Sequence, residues 1–116
     1  MANKNMAELS MEFAVHLLKT TENIKIHRSI VNQVERSGTS IGSNIRESNY
    51  AQSKADFVSK LSIALKECYE TEYWLELMKK TEMLEENTVK SLLRECDVIR
   101  HKLLFSVKTA KATEKK

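Results

Sequence analysis

Between Phe57 and Met78 the positions Phe57, Leu61, Ala64, Cys68, Thr71, Leu75 and Met78 recur with 4-3-4-3-4-3 spacing. Only a helix brings such residues onto one stripe, and that period is satisfied by packing against other helices nearly parallel to it. Three more segments carry a related pattern. Met6, Leu9, Phe13 and Leu17 form the first, with Ala14 and Leu18 beside them. Val31, Val34, Gly38, Ile41, Ile45 and Ser48 form the second. Val89, Leu92, Cys96, Ile99 and Leu103 form the last, widened by Leu93, Leu104 and Val107. A chain of 116 residues with no proline and two glycines holds little that would break such helices. It is also long enough to bury one core without staples.

The punctuation agrees with these spans. Ser53 and Asp56 make a capping-box start for the third helix, and Asn87 is a good N-cap for the fourth. Short connections make successive helices antiparallel neighbours. The sequence therefore predicts an all-α, antiparallel up-down-up-down four-helix bundle over residues 1–110, with helices at about 5–22, 28–50, 53–79 and 87–110. Residues 111–116 are expected to be a basic, unstructured tail.

The second helix contains a run of small residues, Ser37, Gly38, Thr39, Ser40, Gly42 and Ser43. Each glycine costs roughly 1 kcal/mol relative to alanine in a helix interior, so something must offset it. Close approach of another helix is the first explanation, since Gly38 and Gly42 lie one turn apart on one side. A phosphate-binding loop is the sharper alternative, but no G-x-x-x-x-G-K-[ST] pattern is present. Ser40, Asn44 and Glu47 share a face beside the apolar seam, with Ser62, Lys66 or Glu67 as candidate partners. They read either as a polar packing network that fixes register or oligomer state, or as a ligand site.

Reaction chemistry is not visible. Glu-x-x-His pairs, which di-metal bundles need, are absent, and two cysteines with three histidines fit no zinc spacing. Cys68 and Cys96 fall on apolar stripes and read as buried thiols in a reducing compartment. No enzyme, cofactor or metal is expected. The first residues lack the apolar region of a secretory signal, and no run approaches the ~20 apolar residues of a membrane span. The cytoplasm is the expected location, without a membrane partner.

Two surfaces remain. Ile63, Tyr73, Trp74 and Leu77 lie off the main seam of the third helix, which suggests burial between subunits or else a wide core face. The net charge of +3 hides an asymmetry, because Arg100, Lys102, Lys108, Lys111, Lys115 and Lys116 face Glu114 alone in the last 17 residues. A basic end suits contact with a polyanion, or is simply a solvated terminus. Arg28, Arg36 and Arg46 extend the candidate nucleic-acid contacts, while Glu67, Glu70, Glu72, Glu76, Glu82, Glu85 and Glu86 make another side acidic.

The run RSGTSIGSNIRES, followed by KADFVSKLSIALKECYETEYWLELM, resembles the bacterial four-helix-bundle proteins related to those encoded within 23S ribosomal RNA intervening sequences. Ser40, Ile41, Asn44, Ile45 and Glu47 carry the small-residue and Asn-Ile-x-Glu pattern. Phe57, Leu61 and Ala64, then Trp74 and Leu75, carry the pattern of the third helix. Ser48 stands where the family often has Gly. The resemblance implies a ring-shaped homopentamer. Related accessory proteins of diversity-generating retroelements, which are strongly basic, bind nucleic acid and a reverse transcriptase. Two functions are therefore expected to compete: a nucleic-acid-binding accessory protein for RNA or DNA, and a protein-interaction scaffold that touches neither.

Overall fold

Each stripe is a helix in the computed structural model, which describes residues 4–114. Helix α1 spans Met6–Thr21, α2 Arg28–Ser48, α3 Lys54–Lys80 and α4 Glu86–Glu114, with no strand among the described residues. Asn5 caps α1 by accepting from Glu8 N at 2.9 Å. Ser53 caps α3 in the same way, its Oγ accepting from Asp56 N at 3.0 Å. Asp56 in turn accepts from Gln52 N at 3.2 Å, so the first turn of α3 is closed from both sides. The connections at the other end turn through left-handed residues, His27 at φ 47° and Glu82 at φ 59°.

The fourth helix departs from expectation at both ends. It begins at Glu86, one residue ahead of Asn87, because Val89 N already donates to Glu85 O at 3.1 Å. It runs on through Glu114, so residues 111–114 are helical where an unstructured tail was expected. The cause is packing: Val107 and Ala110 keep the seam of α4 buried up to the predicted end, and the helix carries on from there. Lys115 and Lys116 lie outside the described residues.

Cross-helix contacts fix the direction of every helix. Gly42 lies beside Ser10 and Gly38 beside Phe13 and Leu17, so α2 runs antiparallel to α1. Lys60 meets Glu47 while Thr71 meets Ser37, which makes α3 antiparallel to α2. His16 meets Glu95 while Asn5 and Met6 share a groove with Lys102 and Phe105, which makes α4 antiparallel to α1. α1 and α3 each pack on α2 and α4, and the backbones of the diagonal pairs lie farther apart. This is the up-down-up-down arrangement. The centre is filled by Phe13, Leu17, Ile41, Leu61, Leu75, Met78, Leu92, Ile99 and Leu103, all fully buried. Each such side chain contributes about 1.5–3 kcal/mol by leaving water.

Gly38 and Gly42 are explained by proximity, since neither has a positive φ. A Cβ on Gly38 would overlap Leu17 Cδ2, a side chain with no exposed surface. A Cβ on Gly42 would meet Ser10 Oγ at 3.1 Å, and that hydroxyl sits at the floor of an open groove. We expect Gly38→Ala to destabilise by about 1–2 kcal/mol, as overpacking outweighs the gain in helix propensity. Gly42→Ala should stay within about 0.5 kcal/mol of the parent, since propensity offsets a small shift of Ser10. Equal urea midpoints for the two variants would contradict this account of the α1–α2 contact.

Candidate nucleic-acid interface

The polar residues beside the seam divide into separate contacts. Asn44 Nδ2 donates to Ser40 O at 2.9 Å and to Ser40 Oγ at 3.1 Å, within its own helix. Glu47 accepts from Lys60 Nζ at 3.3 Å. Glu67 accepts from Arg36 Nη1 at 2.9 Å, and Arg36 also pairs with Glu70. Asn44 and Glu67 are therefore not joined to each other. The buried polar contact between α2 and α3 is another pair, the Thr71 and Ser37 hydroxyls at 2.9 Å. At Ser48 the hydroxyl donates to Ile45 O at 2.6 Å where α2 ends.

The second stripe of α3 is partly consumed by its own bundle. Trp74 packs against the core, and its indole N–H donates to Glu70 Oε2 at 3.1 Å. Leu77 is half-buried, while Ile63 is 41% and Tyr73 60% exposed. On α1, Met11, Val15 and Leu18 form a further exposed apolar stripe. It borders a groove of about 330 Å³ between α1 and α2, floored by Ala7, Ala14 and Gly42 and rimmed by Arg46.

Among the cations, pairing decides which can meet a ligand. Arg36 is held by Glu67 and Glu70, which offset its charge within the fold. Arg100 is held by Glu72 and Asp97 and lies over the Tyr69 ring at 5.7 Å. Arg28, at the start of α2, donates to Ile24 O at 2.7 Å. Helix α2 has 21 residues, so Arg28 is roughly 30 Å from the opposite end, far beyond the Debye length of about 8 Å. Arg28 thus acts apart from the remaining basic residues.

Those residues gather at the end of the bundle formed by the start of α1, the α2–α3 connection and the end of α4. Arg46, Lys54, Lys102, Lys108 and Lys111 belong to it, and none of them joins an ion pair among the described residues. Of the acids there, Glu12 is held by Lys4 at 2.7 Å and Glu47 by Lys60, Asp56 accepts from the backbone of Gln52, and Glu8 joins no ion pair among the described residues. At the far end Lys79 and Lys80 are mixed with Glu82, Glu85 and Glu86. Helix α4 adds to the contrast, because lysines in its last turns face the negative end of the helix dipole. Phe105 and Tyr50 project from the basic end, 72% and 81% exposed. Sequence reasoning passed over both. Phe105 could have been noticed because it lies off the Leu103–Val107 seam of α4.

Cys68 and Cys96 are free and buried, with Cys96 Sγ 3.7 Å from Cys68 O. The neighbouring Cys68 side chain, reinforced by burial, pushes the Cys96 thiol far up, which disfavours the thiolate. No group of His, Cys, Asp or Glu among the described residues could hold a metal ion. No helix among them is long and apolar enough to cross a membrane.

The geometry defines an antiparallel four-helix-bundle protein with one basic end. The chain belongs to the 23S rRNA-intervening sequence protein family, which it matches over residues 3–104. It is similar to a solved protein of unknown function from the S23 ribosomal protein family of Bacteroides thetaiotaomicron VPI-5482. The two share 41% identity and a TM-score of 0.84, over 90% of this chain and 99% of that one. No curated protein matches this chain. Phe105, Lys108 and Lys111 lie just past the segment that matches the family.

The Glu70 carboxylate is held below its ordinary value of 4.5, first by the Trp74 indole and then by Arg36. A depressed folded value means that the unfolded chain takes up the proton first as pH falls. The stabilisation is therefore complete above about pH 4.5 and fades below it. Trp74→Phe removes the indole donor and keeps most of the packing. We expect it to be less stable than the parent at pH 7, with the gap narrowing as pH falls below 4.5. Chemical denaturation at both pH values measures this, and a gap independent of pH would remove the indole from the account.

Proposed function

We propose that this protein is a non-enzymatic, oligomeric accessory protein that binds nucleic acid through the basic end of its bundle. The observation that carries the reading is the gathering of Arg46, Lys54, Lys102, Lys108 and Lys111 at one end, where Glu12 and Glu47 are held by other lysines. Phosphate contacts of this kind release counterions, and repetition around a ring would multiply a weak contact through avidity. A ring-shaped homopentamer fits the family resemblance, and the exposed apolar stripes on α1 and α3 offer surfaces for its closure. The apolar groove between α1 and α2 favours a second reading, a scaffold that recruits another protein. Salt separates the two, since apolar recruitment survives it and phosphate contact does not.

The test is fluorescence anisotropy with structured RNA and duplex DNA across a salt series. Binding should weaken linearly in log–log form, and Lys108→Gln with Lys111→Gln should reduce the slope by about 0.9 for each phosphate left without its lysine. Truncation before α4 ends is unsuitable, because it would remove Leu103, Val107 and Ala110 from the core. Absence of binding at low salt would leave the scaffold reading. Assembly is tested separately. The parent should sediment as an oligomer, and Tyr73→Glu should reduce its mass while preserving helicity. A parent that sediments as a monomer at micromolar concentration would end the oligomeric part of the proposal.

A further inference from the structure

Phe105 has no role in the fold that its surroundings explain. Its neighbours on the seam, Leu103 and Val107, are buried, while the ring itself is 72% exposed. It forms the ridge between two grooves. One, of about 500 Å³, lies against the start of α1 and is lined by Asn5, Met6, His101, Lys102 and Ser106. The other, of about 340 Å³, lies against the start of α3 and includes Lys54, Phe57, Ser106 and Thr109. The charged residues that line the two grooves are Lys102 and Lys54, both basic. This complementarity toward a polyanion distinguishes the ridge from the grooves at Glu72 and at Glu82, which mix both signs.

We propose that Phe105 is a stacking platform for an unpaired base of single-stranded RNA, with Lys54 and Lys102 holding the phosphates on either side. The proposal rests on the nucleic-acid reading above and narrows it. An aromatic ring offers its face to any base, provided that base is not already stacked in a duplex. Grooves on both sides let the strand enter and leave across the ridge. The Ser106 and Thr109 hydroxyls in those grooves can exchange hydrogen bonds with a ribose 2′-hydroxyl, which selects RNA over DNA.

The experiment measures anisotropy of a labelled RNA strand of roughly 12 nucleotides, within the site sizes of single-strand-binding domains. The same strand annealed into a duplex and a DNA strand of the same sequence serve as comparisons, with sedimentation of each protein alongside. Phe105→Ala should weaken binding of the single strand by roughly 10-fold with an unchanged salt slope and unchanged duplex binding. Phe105→Trp should retain the affinity. Lys102→Gln should instead lower the salt slope by about 0.7 for each phosphate it no longer neutralises. If the parent binds the strand and Phe105→Ala binds it equally well, stacking is overturned while the nucleic-acid reading stands. If the parent binds DNA but no RNA, the stacking proposal falls alone, and if it binds neither, both fall. A DNA strand bound as tightly overturns the choice of RNA. A change in sedimentation caused by Phe105→Ala would assign the ring to a contact between copies, and that too overturns the proposal.

Discussion

The close approach of α1 to α2 at Gly38 governs the spacing of the whole bundle. Leu17 can lie over α2, with Phe13 beside it, only because no side chain stands at that position. Their burial brings α1 within reach of α4 as well, where His16 meets Glu95 at 2.5 Å. Polar contacts then fix the heights of the helices without opening the core. The Thr21 hydroxyl donates to Glu35 at 2.6 Å across α1 and α2, and Thr71 meets Ser37 across α2 and α3. Small residues thus set distance, and hydroxyls set register. Both would be poor helix choices in isolation, and each is offset by what packs against it.

The ion pairs follow from the same geometry. Arg36 and Arg100 stand on helices whose neighbours place carboxylates opposite them, so their charges are neutralised within the fold. The end of α4 has no such neighbour. It faces the start of α3, which presents Lys54, while Asp56 is engaged by the backbone of Gln52. Lysines there gain little from folding beyond their interaction with the helix dipole. A net charge of +3 is small, yet its distribution leaves one end of the bundle basic and the other mixed.

The helices and their order were legible in the sequence because each buried stripe runs without a break and its caps are local. Ser53 and Asp56 interact with backbone only three or four residues away, so their spacing carries the information. The candidate surface was less legible because it depends on partners distant in the chain. Arg36 reads as a free cation in the sequence, and only folding brings Glu67 and Glu70 opposite it. Trp74 reads in the sequence as part of a subunit interface or of a wide core face, and folding packs it against its own core and brings it to Glu70. The end of α4 was misjudged for a different reason. Lysine and threonine at 108–113 resemble a solvated terminus, and two buried residues, Val107 and Ala110, suffice to keep that segment helical.

That continuation changes what the basic end can be. Lysines on a flexible tail would attract any polyanion, each adopting a different arrangement on binding and losing entropy as it does so. On a helix anchored through Val107 and Ala110, Lys108 and Lys111 hold fixed positions relative to Phe105, and Lys54 is presented by a second helix. The backbone is already ordered before a ligand arrives, and only the lysine side chains remain to be fixed. A rigid aromatic ridge between two basic grooves can therefore discriminate by shape, in favour of a strand with accessible bases, where a tail could respond to charge alone.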